Sequence, residues 1–161
     1  MADTEFRSAM RRSESSGRHN IQNELGYQGA YQFGAPRLQD YMNATGEQFD
    51  LNMFRNDPAL QDRVQSWHEQ DILNYMGQNG ILDMIGQEVG GVPINPASLI
   101  AMGHLGGNYG TRKFVESGGA YNPADKYGTH ISDYGQKFSG MNIYGVAPTR
   151  SPRPMARPEN F

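Results

Sequence analysis

Glu14 lies in the run SESSGRHN, residues 13–20, where an amphipathic stretch meets serines and a glycine. A glutamate in that position is either a solvated charge at a helix end or an acid that donates a proton in catalysis. A general acid must keep its proton near neutral pH. Burial beside apolar groups achieves this, and each pKa unit corresponds to about 1.4 kcal/mol. The catalytic interpretation therefore requires partner residues elsewhere in the chain.

Other kinds of catalytic site find little support in the sequence. The chain has no cysteine, and its four histidines, at positions 19, 68, 104 and 130, do not follow HExxH or another ligand spacing. There is no GxSxG motif, and the run GHLGGNYG matches neither a dinucleotide motif nor a P-loop. We therefore expect no metal site and no cofactor. Nine tyrosines and many Asn and Gln residues suit the binding of sugar rings and hydroxyls.

The elements that would position Glu14 are predicted to be six or seven helices, in one mainly α domain. The strongest helix starts are Asp57-Pro58 and Asn95-Pro96, where an N-cap residue precedes proline at the first helical position. Residues 22–35 lack helical periodicity and are predicted to form an irregular loop or a β-hairpin. The predicted helices span residues 3–13, 36–43, 57–76, 81–89, 95 to about 106, 112–116 and a last segment ending near 138. The candidate N-caps of the first and last helices are Asp3 or Thr4, and Thr129 or Ser132.

Several motifs occur in a fixed order along these elements. Glu14-Ser15 is followed by YQFG at residues 31–34, and the sequence closes with YNPADKYGTHISDYGQKFSG. In this order the motifs resemble the lysozyme-like lytic transglycosylases and related phage muramidases. That family also carries an Ala-Tyr-Asn-x-Gly motif, and here Gly103 and His104 stand in place of its Tyr-Asn pair. The resemblance covers about residues 3–140 and implies a lysozyme-like fold of the goose-type or lytic transglycosylase kind.

The resemblance also implies roles for individual residues. Glu14 would be the general acid that protonates the glycosidic oxygen of peptidoglycan, and Ser15 would orient the glutamate or the sugar. Thr129 and Tyr134 would close the cleft. The residues implied to bind substrate are Ser15, Tyr31, Gln32, His104 and Tyr134. The alternative interpretations are that Gln32 only satisfies a turn, and that His104, Tyr134 and Trp67 are core residues.

Two reactions can use the same acid. Hydrolysis requires a second carboxylate, about 5–5.5 Å away for retention or about 6.5–9.5 Å away for inversion. Lytic transglycosylases need none, because the muramyl 6-hydroxyl attacks internally and leaves a 1,6-anhydro end. Glu24 is the nearest candidate for a second carboxylate, and Asp40 and Asp50 are weaker ones. We favour a site with one glutamate and leave the product open.

The last segment differs from the rest of the chain. Residues 145–161 hold four of the nine prolines and three Arg against one Glu, a net charge of +2 that leaves −5 for residues 1–144. Prolines at short intervals exclude a helix or a central strand there. The sequence thus predicts a lysozyme-like catalytic domain over 1–144 and an extended tail over 145–161. The tail is either a disordered arm or a peptide that docks on other virion proteins of the phage tail or internal core.

Charge and hydropathy bound the partners and the location. The net charge of −3 argues against nucleic acid, and no run of about 18 apolar residues predicts membrane insertion. The N-terminus lacks the apolar region of a signal peptide. We therefore predict a virion-associated lysin, made in the host cytoplasm, that binds peptidoglycan glycan strands at genome entry. The alternatives are a free endolysin, a structural virion protein that retains the lysozyme fold without activity, and a peptidoglycan-binding module.

Overall fold

A computed structural model describes residues 3–144, and within that range the chain is mainly helical. The predicted tail over 145–161 lies outside the described residues. The elements in chain order are helices α1 (Glu5–Ser15), α2 (Ala35–Thr45), α3 (Leu51–Arg55) and α4 (Pro58–Gln78), the 3₁₀ turn Ile81–Met84, strands β1 (Glu88–Val89) and β2 (Val92–Pro93), and helices α5 (Pro96–Glu116) and α6 (Ile131–Phe138).

The predicted helix starts at local capping signals are confirmed. The Asp57 side chain accepts from the Leu60 amide at 3.0 Å, and that of Asn95 accepts from the Ser98 amide at 2.9 Å. Of the two candidates for the first helix, Thr4 is the cap and accepts from the Arg7 amide. Side-chain caps replace hydrogen bonds that the first helical turn cannot make internally, so these starts depend on a few adjacent residues.

The predicted helix over 81–89 is wrong. A 3₁₀ turn ends at Met84, Gly86 has a φ of 99°, and the chain then enters the β1–β2 hairpin. Gly90 and Gly91 join the two strands with φ values of 56° and 82°. Two consecutive positive φ values favour a two-residue hairpin turn and are incompatible with a right-handed helix.

Three further boundaries differ from the prediction. The short helix α3 is absent from the predicted set, although Asp50 caps it by accepting from the Met53 amide. The segments predicted separately over 95–106 and 112–116 are the two parts of α5, interrupted only at Gly107, where φ is 80°. The last helix starts after His130 rather than at Thr129 or Ser132, because the Asp133 carboxylate accepts from the His130 amide.

Residues 22–35 form the irregular segment that the sequence predicts. Gln28 makes antiparallel bridges with Gln22 on one side and with Phe33 on the other. Gln61 of α4 fixes this segment, because its buried amide accepts from the Ala30 amide and donates to the His19 carbonyl.

Helix α5 lies at the centre of the core and packs on both α4 and α6. Its four consecutive residues Leu99, Ile100, Ala101 and Met102 have no exposed surface. Burial on every face of this turn explains why it carries no polar stripe. Among residues 3–144, no helix combines the length and apolar character needed to cross a bilayer.

Candidate functional site

A cleft of about 1120 Å³ lies between the end of α1, the loop before α2, the middle of α4 and α5, and the α5–α6 connection with α6. Five predicted site residues line it together, Glu14, Gln32, His104, Thr129 and Tyr134, and so does Asp40, a candidate second carboxylate. They are separated by up to 120 residues in the chain. The motifs that the sequence analysis took in order therefore meet at one place in the fold.

Glu14 reaches the cleft because α1 ends there. Ser16, with a φ of 58°, closes the helix, and its amide donates to the Arg12 carbonyl. The Glu14 side chain is 18% exposed, and its Oε2 accepts a short hydrogen bond from the Tyr134 hydroxyl. Burial, and then the neighbouring charge of Glu14, raise the pKa of Tyr134. Tyr134 therefore remains protonated and donates to the carboxylate.

Tyr134 is the last member of a hydrogen-bonded series that we call the lysine chain: Lys137, Ser13 and Tyr134. The Lys137 ammonium donates to Ser13 Oγ at 3.0 Å, and Ser13 Oγ lies 3.1 Å from the Tyr134 hydroxyl. An ammonium group has no acceptor, so Ser13 accepts from Lys137 and its own proton points to Tyr134. The Tyr134 proton in turn points to Glu14, which orients the carboxylate in the cleft.

A second series, the histidine chain, also ends near Glu14 Oε2 and consists of Arg37, His68 and His104. His104 Nε2 lies 3.8 Å from Glu14 Oε2, and His104 Nδ1 lies 3.1 Å from His68 Nε2. His68 Nδ1 accepts from Arg37 Nε at 2.9 Å. The ring of Phe33 packs edge-on against both imidazoles, with centroids 5.0 and 5.7 Å away.

Gly103 allows the two histidines to meet. A Cβ atom at this position would lie 2.9 Å from Ile72 Cγ2, closer than carbon atoms pack. Ile72 lies one turn beyond His68 on α4. The absence of a side chain at Gly103 thus lets α5 approach α4 at the level of the His68–His104 hydrogen bond.

Gln32 is held in a turn and also faces the cleft. Its φ is 59°, in the left-handed region, and its Nε2 donates to the Gly29 carbonyl at 2.8 Å. The amide therefore satisfies the turn, as the alternative interpretation proposed. Its Oε1 has no hydrogen bond within the described range and is available to a ligand.

Ser15 and Tyr31, both predicted to bind substrate, do not line the cleft. Ser15 is buried and its hydroxyl donates to the Arg11 carbonyl at 3.0 Å. Tyr31 is also buried, and its hydroxyl donates to Asp62 and accepts from Arg11. The hydroxyls of both residues are engaged within the protein, so their placement is that of residues supporting α1 and the following loop.

The carboxylates around the cleft differ in what they bind. Asp125 accepts from the amides of Tyr127 and Thr129, and Asp133 accepts from the His130 amide. Asp40 lies 3.5 Å from Arg37. Four carboxylates line the cleft within the described residues. Glu14 differs from the other three because its two contacts, Tyr134 and His104, lie on other helices and also line the cleft. Asp125 and Asp133 hold backbone turns.

The other proposed second carboxylates lie outside the cleft lining. Glu24 is exposed and accepts from the Tyr127 hydroxyl at 3.1 Å, across the gap between two loops. Asp50 caps α3. Glu24 therefore contacts the cleft lining only at the hydroxyl of Tyr127 among the described residues, and the exposed ring of Tyr127 lines the cleft together with that of Tyr27.

The sequence analysis missed several lining residues, above all Arg37 and His68. Arg37 lies in the first turn of α2, and no motif marks it. His68 lies on the buried side of α4, a position where the pattern indicates only core. Trp67, its neighbour, packs between Arg37 and Tyr41 and is not in the cleft lining. The signal that could have found His68 is the rarity of a fully buried histidine, which requires a partner.

The site thus combines a carboxylate, a phenol that donates to it and an imidazole near it, within a cleft of about 1120 Å³. The exposed tyrosine rings on its rim offer flat surfaces for stacking. Comparison of the chain with protein-family models, with curated proteins and with solved structures finds no match.

Proposed function

We propose that this protein cleaves the β-1,4 glycosidic bond between N-acetylmuramic acid and N-acetylglucosamine in peptidoglycan, with Glu14 as general acid and base. The observation that carries the proposal is the position of Glu14 at the end of α1, in the wall of the 1120 Å³ cleft, with the Tyr134 hydroxyl on its Oε2. The motif order Glu14-Ser15, YQFG and the closing segment supports a lysozyme-like fold as part of this proposal.

The reaction we propose uses one glutamate. The Glu14 proton passes to the glycosidic oxygen as the bond to the muramyl C1 breaks. The muramyl 6-hydroxyl then attacks C1, and the Glu14 carboxylate takes up the hydroxyl proton, which restores the acid and leaves a 1,6-anhydro end. Tyr134 and the lysine chain hold Oε2, so Oε1 is the oxygen that exchanges the proton.

The engagement of the other carboxylates supports this route over hydrolysis. Asp125 and Asp133 accept from backbone amides, Asp40 pairs with Arg37 at 3.5 Å, and Glu24 accepts from Tyr127 outside the cleft lining. A second catalytic carboxylate would need to be free to bind water or the sugar C1. Breaking a backbone turn to supply one would cost stability at the cleft.

We propose a virion-associated location, with the tail over 145–161 as the segment that binds other virion proteins. Its net charge of +2 supports docking on an acidic partner. An inactive structural protein with the same fold is the competing proposal, and the replacement of the family's Tyr-Asn by Gly103-His104 is the feature that favours it.

The test is digestion of purified peptidoglycan, followed by mass spectrometry of the released muropeptides. We expect soluble products with 1,6-anhydro ends from the wild type and none from Glu14→Gln, which keeps the side-chain size and removes the acid. Glu116→Gln is the matched control, because Glu116 lies on the exposed end of α5, where it pairs with Arg112.

The outcomes separate the alternatives. Reducing muramic ends would overturn the one-glutamate route and point to Asp125 or Glu24 as a second carboxylate. Products from Glu14→Gln at the wild-type rate would overturn the assignment of Glu14. A folded wild type that releases nothing would favour the structural protein.

A further inference from the structure

The direction of hydrogen-bond donation along the histidine chain follows from Arg37, which can only donate. Arg37 donates from Nε to His68 Nδ1 at 2.9 Å, and a guanidinium has five donors and no acceptor. His68 Nδ1 therefore carries no proton. In the neutral imidazole the proton then resides on Nε2, 3.1 Å from His104 Nδ1.

The same reasoning applies to His104. Its Nδ1 must accept from His68 Nε2–H, so its own proton resides on Nε2. His104 Nε2 is on the cleft side, and it lies 3.8 Å from Glu14 Oε2, too far for a direct hydrogen bond. Within residues 3–144, no other acceptor binds this N–H.

We infer that Arg37 and His68 are positioning residues that fix neutral His104 with its Nε2–H directed into the cleft, as a donor to a carbonyl oxygen of the bound ligand. The acetamido group of an N-acetyl sugar presents such an oxygen. The identity of that ligand rests on the proposed function, whereas the direction of the histidine chain does not.

The hydrogen bonds leave one proton on each imidazole. Burial holds the pKa of His68 well below its usual range, and the charge of Arg37 lowers it further. The charged and titratable groups that face the two rings are Arg37 of α2, Glu14 of α1 and the rings themselves on α4 and α5. A second proton on either ring would place two N–H groups, or an N–H and Arg37, against each other at about 3 Å.

The Arg37 side chain is held in place by other contacts, so the first donor of the histidine chain has a fixed position. Its second nitrogen donates to Asp71 at 2.7 Å, and its guanidinium lies 4.3 Å from the centre of the Trp67 ring. Asn108 of α5 also donates to Asp71, at 3.3 Å. The anchor thus ties α2, α4 and α5 together beside the cleft.

The test is the tautomer of each imidazole, read from the ring-nitrogen signals of ¹⁵N-histidine-labelled full-length protein by NMR. We expect single neutral Nε2–H tautomers for His68 and His104 in the wild type. Arg37→Met keeps the length of the side chain and removes its donors, so both rings should then show mixed tautomers. Arg63→Met is the matched control, because Arg63 pairs with Glu47 on the exposed face of α4 and does not touch either histidine.

A Nδ1–H tautomer of His104 in the wild type would overturn the inference, even if Arg37→Met failed to fold. Unchanged tautomers in a folded Arg37→Met would do the same. A second readout is binding of tri-N-acetylchitotriose against its de-N-acetylated form, in which Arg37→Met should reduce the preference for the acetylated sugar by about tenfold. A wild type with the expected tautomers that binds neither sugar contradicts the ligand, and with it the proposed function, but not the direction of the chain.

Discussion

Two buried polar clusters link α4 to other helices, and they end in different ways. The Arg7–Glu69 cluster consists of Arg7 on α1 with Glu69 and Gln65 on α4. Arg7 donates to the two oxygens of Glu69 at 2.9 and 3.0 Å, and Gln65 donates to the same carboxylate at 3.0 Å. The histidine chain instead runs from Arg37 to His104 and ends 3.8 Å from Glu14.

The Arg7–Glu69 cluster and the histidine chain differ in whether their polar groups face the cleft. Both charged groups of the Arg7–Glu69 cluster are engaged with each other, and none of its three residues lines the cleft. The histidine chain ends in an N–H on the cleft, beside a carboxylate. Removing one partner of a buried ion pair leaves the other charge buried and lowers stability, whereas a chain that ends at a cavity prepares a group for a ligand. We therefore expect mutations in the Arg7–Glu69 cluster to lower mainly stability, and mutations at the cleft to lower mainly activity.

The largest expected effect is a loss of stability when the Arg7–Glu69 cluster is broken. Arg7→Ala leaves Glu69 buried without its cation, which should lower the free energy of unfolding by about 3–5 kcal/mol. Urea unfolding measures it. Arg63→Ala, which breaks the exposed pair with Glu47, should cost about 1 kcal/mol or less. Equal losses in the two variants would show that the buried cluster has no special weight.

The next effect is on activity. Tyr134→Phe removes the hydroxyl that donates to Glu14, and hydrogen bonds to charged groups are the strong ones, so cleavage should slow by about tenfold to a hundredfold. Initial rates of muropeptide release measure it. Tyr109→Phe, at an exposed ring that is not among the lining residues, should cleave at the wild-type rate. A Tyr134→Phe rate equal to that of the control would exclude a role for the hydroxyl.

Gly103→Ala tests how closely α4 and α5 must approach. The added methyl would lie 2.9 Å from Ile72 Cγ2, so we expect a loss of about 1–3 kcal/mol in unfolding free energy and a weaker His68–His104 hydrogen bond. Gly110→Ala is the control, since its nearest contact would be 3.7 Å and alanine favours the helix. If Gly103→Ala were as stable as Gly110→Ala, the close approach would not be required.

The smallest effect is a dependence of stability on pH. Because the pKa of His68 is lowered in the folded protein, the unfolded chain binds a proton that the folded one does not. The contribution is complete above the ordinary value of about 6.5 and is lost as the pH falls below it, by up to about 1.4 kcal/mol per pH unit. Unfolding free energies near pH 7.5 and 5.5 should therefore differ more in the wild type than in His68→Gln. Equal differences would mean that folding does not lower the pKa of His68.

The sequence predicted those parts of the fold that depend on adjacent residues. Asp57-Pro58 and Asn95-Pro96 start helices because a cap and a proline act within one turn. The hairpin at Gly90-Gly91 was mistaken for the end of a helix, because two glycines stop a helix and turn a hairpin equally well. The order of motifs led to Glu14, Gln32, His104 and Tyr134, which the fold brings to one cleft.

The remaining members of the site could not be predicted, because they depend on packing between distant segments. Arg37 and His68 are 31 residues apart and carry no motif. Ser15 and Tyr31 adjoin predicted site residues in the sequence, yet α1 and the following loop turn their hydroxyls into the protein. Residues that are adjacent in a motif can have side chains that face different parts of the protein, because the tertiary structure determines where each side chain lies.

The central claim is that Glu14 serves the reaction and Glu69 serves the fold, and one crossed measurement tests it. Glu14→Gln and Glu69→Gln make the same chemical change, and both the unfolding free energy and peptidoglycan cleavage per folded molecule are measured. We expect Glu14→Gln to lose cleavage and keep its stability within about 1 kcal/mol. Glu69→Gln should lose several kcal/mol and cleave normally when folded. Cleavage by Glu14→Gln at the wild-type rate would contradict the account.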